Sequence, residues 1–119
     1  MNMPLVTALV EFTATGTSVI SSLPAQMIPT KFSMEVTGYD AAGNIVAPGA
    51  WDVLLIGSLT GKAYNEGSKI VEHVNGSQSN GDTVYSGGSF YPARFYELKC
   101  KALTLGGAAK IVVAVLGVK

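Results

Sequence analysis

Residues 31–37, KFSMEVT, alternate strictly between apolar and polar side chains. The apolar positions are Phe32, Met34 and Val36. Because successive side chains of a strand point to opposite faces, this pattern predicts a β-strand with one buried and one solvated face. Residues 40–44, DAAGN, follow, and their glycine and asparagine favour a turn that sends the chain back through residues 45–46.

The same alternation of short apolar segments with Gly-, Pro- and Asn-rich turns continues on both sides of this stretch. The other segments that we predict as strands are 6–12, 18–23, 51–57, 68–74, 93–103 and 110–118. No segment has a helical period of apolar residues. Seven or eight short strands in 119 residues predict a single all-β domain, 1–119, built as an antiparallel β-sandwich or barrel.

Composition limits the classes of function. Apolar residues make up 48% of the chain and charged residues 13%, which argues against intrinsic disorder. Eight Lys and Arg balance eight Asp and Glu, and they are scattered, so no basic stripe for nucleic acid is present. The longest apolar run, Ile111–Leu116, is too short to span a bilayer. With one cysteine and no basic leader, we expect synthesis in a reducing cytoplasm and no membrane partner.

Two predicted strands, WDVLLIG (51–57) and IVVAVLGV (111–118), are apolar on both faces. A sandwich strand has only one inward face, so the second face needs a cover. Large exposed apolar patches are unusual in monomers, which favours a neighbouring subunit over a loop of the same chain. The residues that we assign to partner contact are Leu54, Ile56, Ile111, Val113 and Val115.

The stretch GSLTGK (57–62) raises the question of a phosphate-binding loop. That loop requires four residues between its two glycines, a hydroxyl residue after the lysine and a helix that follows. Here three residues separate Gly57 from Gly61, Ala63 follows the lysine, and no helical pattern continues. The sequence therefore favours a strand that ends in a turn, without nucleotide binding.

The remaining candidates for chemistry lack partners. His73 is the sole histidine and Cys100 the sole cysteine, so neither a zinc site nor a nucleophile with an oriented base can be assembled from the sequence. We expect Cys100 to face the core as an inert thiol. The scattered acidic residues do not follow a calcium-loop motif; they are Asp40, Asp52, Glu66 and Asp82. We therefore predict no catalytic, cofactor-binding or metal-binding residue and no enzymatic activity.

Two longer stretches carry a resemblance. WDVLLIGSLTG (51–61) and YPARFYELKCKALTLGGAAKIVVAVLGV (91–118) resemble small β-sandwich proteins of tailed-phage virions. In those proteins a strand ends in Gly-Ser-Leu-(Asp/Thr)-Gly, and an Arg-(Tyr/Phe) strand leads through Leu-Thr-x-Gly-Gly into a Val-rich strand. The chain is also distantly similar to the jelly roll of discoidin-type lectin domains. Thr60 replaces the commoner Asp and no tryptophan follows Gly61, so ligand-binding loops are not carried over.

The resemblance implies a jelly-roll-like sandwich that serves as a structural subunit of the virion, namely a capsid decoration or cement protein, or a head- or tail-associated protein. It would be made in the host cytoplasm and would bind itself, as a homo-oligomer, and the major capsid protein or other virion chains. The alternative is a carbohydrate- or receptor-binding module of a phage tail. That alternative requires four aromatic residues to cluster in one exposed concavity, namely Tyr39, Tyr64, Phe90 and Tyr91.

Overall fold

The computed structural model describes residues 4–22, 29, 31–74, 83–87 and 93–118. Within these residues the chain forms β-strands and a single three-residue 3-10 turn, Glu66–Ser68, so the all-β prediction is confirmed. The strands are β1 (Pro4–Phe12), β2 (Gly16–Ser22), β3 (Lys31–Tyr39), β4 (Ala50–Ser58), β5 (Lys69–Val74), β6 (Thr83–Gly87), β7 (Phe95–Thr104) and β8 (Lys110–Val118).

The strands form two four-stranded antiparallel sheets that pack face to face. We call the sheet with the order β1-β8-β3-β6 the β8 sheet, and the sheet with the order β2-β7-β4-β5 the β4 sheet. The first strand pairs with the last, the second with the seventh, the third with the sixth and the fourth with the fifth. This nested pairing, rolled into two sheets, is the topology of an eight-stranded jelly roll.

The core lies between the two sheets and follows from the alternation of each strand. In β3, the side chains of Phe32, Met34 and Val36 are inward and 0–2% exposed. The inward row of β7 meets them from the other sheet, and the rings of Phe32 and Tyr96 lie 5.4 Å apart. Cys100 belongs to that row and is buried, as the sequence predicts.

The turn after β3 forms because its side chains satisfy its backbone. The Asp40 carboxylate accepts hydrogen bonds from the backbone N–H groups of Ala42 and Asn44, at 3.0 and 2.8 Å. Gly43 supplies the positive φ of 87° that this turn requires. The predicted return strand is reduced to a single bridge between Tyr39 and Ile45, because the chain crosses from there to β4 in the other sheet.

The jelly-roll topology distributes the connections between two ends of the sandwich. The turns 13–15, 40–49 and 105–109 lie at one end, and the connection 59–68 lies at the other. The predicted polar loop, residues 75–82, and the aromatic residues 90–92 lie outside the described residues.

Candidate interaction surface

The last strand, β8, is where the sequence predicts contact with a partner. In the register, Val113 lies between Val10 of β1 and Val36 of β3, and Val36 faces the core. The whole odd-numbered row of β8 is consequently inward: Ile111 and Val113 are 0% exposed and Val115 is 4% exposed. The assignment of this row to partner contact is therefore wrong, because one folded chain already buries it.

The even-numbered row of β8 is the one at the surface. Val112 and Ala114 are half-buried, and Leu116 is 42% exposed. On the neighbouring β1, Leu9 lies opposite Ala114 and is 75% exposed. We call this outer surface of β1, β8 and β3 the open face; its described residues are Thr7, Leu9, Glu11, Lys31, Ser33, Glu35, Thr37, Val112, Ala114 and Leu116.

The open face combines the apolar row of β8 and Leu9 of β1 with a polar row on β3. A shallow groove of about 210 Å³ runs between β3 and β8; its lining residues are Ser33, Met34, Glu35, Ala114, Val115 and Leu116. Toward the turn end, the Lys110 ammonium and the Glu11 carboxylate form an ion pair at 2.7 Å. Apolar residues flanked by polar ones are typical of protein–protein contacts.

The other two predicted partner-contact residues, Leu54 and Ile56, are buried on the outer side of the β4 sheet. They are 1% and 0% exposed, although the inward row of β4 is formed by Val53 and Leu55. The connection 59–68, which we call the cover segment, contacts β4 through its 3-10 turn, Glu66–Ser68. The prediction that a partner covers these two residues is wrong, since the chain covers them itself.

Contacts with β7 hold the cover segment in place. The Glu66 carboxylate pairs with the ammonium groups of Lys101 and Lys99, each at 2.8 Å, and these hydrogen bonds lower the pKa of Glu66 to about 2. Lys99 lies opposite Leu54 in the sheet. Tyr64 is half-buried, and burial, followed by the nearby Glu97 carboxylate, raises the pKa of its hydroxyl. The segment thus covers the part of the outer side of the β4 sheet that lies around Lys99 and Lys101.

The same segment shows what the stretch GSLTGK (57–62) forms. β4 ends at Ser58, whose hydroxyl oxygen accepts a hydrogen bond from the backbone N–H of Gly61 at 3.0 Å. Gly61 has a positive φ of 74°, and the ring of Phe95 occupies the space beside it. The sequence favours a strand ending in a turn, and that interpretation is confirmed.

His73 has a structural role in the core. It is 0% exposed, and its Nδ1 accepts a hydrogen bond from the Trp51 indole N–H at 2.9 Å. An indole nitrogen only donates, so the imidazole holds its proton on Nε2. Burial raises the pKa of the Cys100 thiol to about 11, which leaves it un-ionised at neutral pH.

The acidic residues do not combine into a metal site. Asp40 is used in its turn and Glu66 in its ion pairs. Burial, followed by the neighbouring Glu72 carboxylate, raises the pKa of Asp52 to about 6. Among the described residues, no group of three or more His, Cys, Asp and Glu side chains is placed to hold a metal ion. Asp82 lies outside the described residues.

The aromatic residues considered for sugar stacking are separated. Tyr39 ends β3 and, by the alternation of that strand, faces outward from the β8 sheet. Tyr64 lies in the cover segment, against the outer side of the β4 sheet. These two rings are on opposite sides of the sandwich and cannot line one concavity. Phe90 and Tyr91 lie outside the described residues.

Sequence reasoning missed Leu9, the most exposed large apolar residue of the described chain. The alternation of the sequence could have identified it. Ala8, Val10 and Phe12 face the core, so Leu9, between them, lies on the outer side. In the described part of the chain, no helix has the length and apolarity that crossing a membrane requires. No protein-family model matches the sequence, and no curated protein matches it.

Proposed function

We propose that this chain is a non-enzymatic structural protein of a tailed-phage virion, a capsid decoration or cement subunit that binds copies of itself and other virion chains. The observation that carries the proposal is the open face: an apolar strand row at the surface of a jelly roll, next to Leu9 at 75% exposure.

The fold supports the proposal by analogy. Jelly rolls recur in viral capsid proteins and in lectin domains. Since one fold hosts many functions, this analogy raises the expectation of a virion role but does not define it. The resemblance of residues 51–61 and 91–118 to small β-sandwich proteins of virions favours a capsid role over a lectin role.

Surface chemistry supports the proposal more directly. The cover segment lies on part of the outer side of the β4 sheet, where Val19 stays 63% exposed. The β8 sheet keeps Leu9 and Leu116 exposed, and Leu9 is the most exposed large apolar residue of the described chain. Exposed apolar residues within a polar border mark interaction sites on soluble proteins. A net charge of zero means that neighbouring copies in an array repel each other little.

The single histidine and the single cysteine of the chain serve the fold. His73 accepts the Trp51 N–H, and Cys100 is buried with a raised pKa. A general base or nucleophile needs an accessible group beside an oriented partner. This use of both residues in the core favours a binding protein over an enzyme. The carbohydrate-binding alternative receives less support, because Tyr39 and Tyr64 lie on opposite sides of the sandwich.

The test uses phage particles whose genome encodes this chain. Immunogold labelling should detect the chain on the purified particles at a regular density. Particles stripped of the chain by mild denaturant should rebind the purified protein to saturation. The variant Leu116→Lys places a charge in the middle of the open face and should weaken rebinding at least tenfold, since burying an unpaired charge is costly.

Leu59→Lys is the matched control. Leu59 is 69% exposed, lies in the cover segment away from the open face, and gives the same change of charge. It should rebind like the wild type. Absence of the chain from the particles would refute the virion role, and equal rebinding by both variants would refute the open face as the contact. Saturable binding to a glycan array, together with absence from particles, would favour the carbohydrate-binding module.

A further inference from the structure

One side of the sandwich is bordered by two edge strands that follow each other in the chain. β1 is an edge of the β8 sheet and β2 is an edge of the β4 sheet. The two strands are joined by the short turn 13–15 and contact each other across the sandwich. We call this side the β1–β2 edge.

Burial is incomplete at the β1–β2 edge. Ala8 and Val10 point toward the core but are only half-buried, whereas Val113 and Val115 on the next strand are 0% and 4% exposed. In β2, Ile20 also packs on the core while remaining half-buried. A further strand beside this edge would complete the burial of these side chains.

Among the described strands, β1 is hydrogen-bonded to a neighbour on one side only. Within the described residues, β1 pairs only with β8, through an uninterrupted ladder from Val6 to Phe12. An edge strand presents unpaired N–H and C=O groups, and natural proteins usually protect them with charges or bulges. β1 and β2 contain one charged residue, Glu11, and Lys110 of the same sheet neutralises it at 2.7 Å. On the opposite side of the sandwich, the edge strand β5 carries Lys69 and Glu72, and the edge strand β6 carries no charged residue.

Exposed apolar side chains lie on both strands of this edge. Leu9 is 75% exposed, and its neighbour on β8 is the small Ala114, which leaves one side of the leucine uncovered. Val19 of β2 is 63% exposed on the outer side of the β4 sheet. Each of the two sheets therefore carries an exposed apolar side chain on its edge strand at this side of the sandwich.

We propose that β1 pairs antiparallel with β1 of a second copy about a two-fold axis, so that the two β8 sheets become one continuous sheet. The regular part of β1, Val6–Phe12, is centred on Leu9, and pairing over its full length sets Leu9 opposite Leu9 of the second copy. The contact is isologous, so each copy contributes the same strand. This inference deepens the self-association included in the proposed function.

A second copy suits the edge better than a charged or larger partner. The edge has almost no charge, so self-pairing brings no like charges together. Seven residues extend about 24 Å and a two-sheet sandwich is about 20 Å thick, so the dimer buries roughly 1,000 Å² in total. That area is at the lower limit for specific interfaces and corresponds to a dimer that dissociates on dilution.

Sedimentation velocity of the purified full chain, from about 1 µM to 1 mM, tests the inference. The wild type should shift from a 12.3 kDa species to twice that mass as its concentration rises. Leu9→Lys should raise the dissociation constant at least tenfold, because it sets two like charges opposite each other. Leu59→Lys, which adds the same charge at a similarly exposed leucine, should leave it unchanged. Circular dichroism should show both variants folded, since neither side chain is buried.

A mixing experiment tests the two-fold axis. Leu9→Lys and Leu9→Glu should each be monomeric alone and should form a dimer when mixed, because the axis sets opposite charges together. A wild type that stays monomeric at 1 mM overturns the inference, as does equal dimerisation of Leu9→Lys and Leu59→Lys or a failure of the mixed variants to associate. A monomer that still binds phage particles would overturn self-pairing of β1 and leave the virion role standing.

Discussion

Val112 and Val113 are adjacent residues of β8, and their side chains lie on opposite faces of the β8 sheet. The same substitution, made separately at each position, tests which face packs against the core. Val113 is 0% exposed and lies within the core cluster. Val113→Ala removes two buried methyl groups, about 1.6 kcal/mol of transfer free energy, and the cavity left behind brings the loss of unfolding free energy to about 2–3 kcal/mol. Val112 is half-buried on the open face, so Val112→Ala should cost about 0.5–1 kcal/mol.

Guanidinium unfolding followed by circular dichroism gives both free energies from one set of curves. The slope with denaturant should be equal in the two variants and the wild type, since the same surface is exposed on unfolding. Measurements belong at low protein concentration, where self-association does not contribute. A larger loss for Val112→Ala than for Val113→Ala would refute the register that places the odd-numbered row of β8 inward.

Three further outcomes follow from the core and its charged border. His73→Leu leaves the Trp51 N–H buried without its acceptor and should cost about 1–3 kcal/mol, measured by denaturant unfolding through the fluorescence of the single tryptophan. Cys100 should react with a thiol reagent only when the chain unfolds, and rapid labelling of the native protein at pH 8 would contradict its burial. Asp52 has a folded pKa of about 6, above its ordinary 3.8, so its contribution to stability is full below about pH 4 and is lost as the pH rises through 6. Asp52→Asn should therefore raise the thermal midpoint at pH 8 and change it little at pH 4; the same increase at both pH values would contradict this linkage.

The sequence predicts strands well where one face of the strand is exposed to solvent. In β3, the alternation of Lys31, Ser33 and Glu35 with apolar residues defines both the strand and its inward side. The inward position of Cys100 follows in the same way from its lysine neighbours in β7. Period-two alternation carries this information because a half-buried strand must separate its two kinds of side chain.

The sequence does not predict the inward row of β8, since both rows are apolar. Only the pairing of Val113 with Val36 of β3 decides between them, and that pairing joins residues far apart in the chain. The burial of Leu54 and Ile56 was missed for a related reason. Their cover is held by ion pairs between Glu66 and two lysines of β7, a contact that local patterns do not contain.

The pairing of β1 with β8 has a consequence for how the protein is made. Among the described strands, β1 has β8 as its sole hydrogen-bonding neighbour in the sheet, and β8 is translated last. While the ribosome synthesises the segments between them, β1 lacks the strand with which it pairs in the folded protein, although β3 and β6 of the same sheet have already been made. The β8 sheet can therefore close only after synthesis of β8, and contacts between such distant segments form slowly. We expect the nascent chain to depend on chaperones during this interval, when its apolar strands are open to association with other unfinished chains.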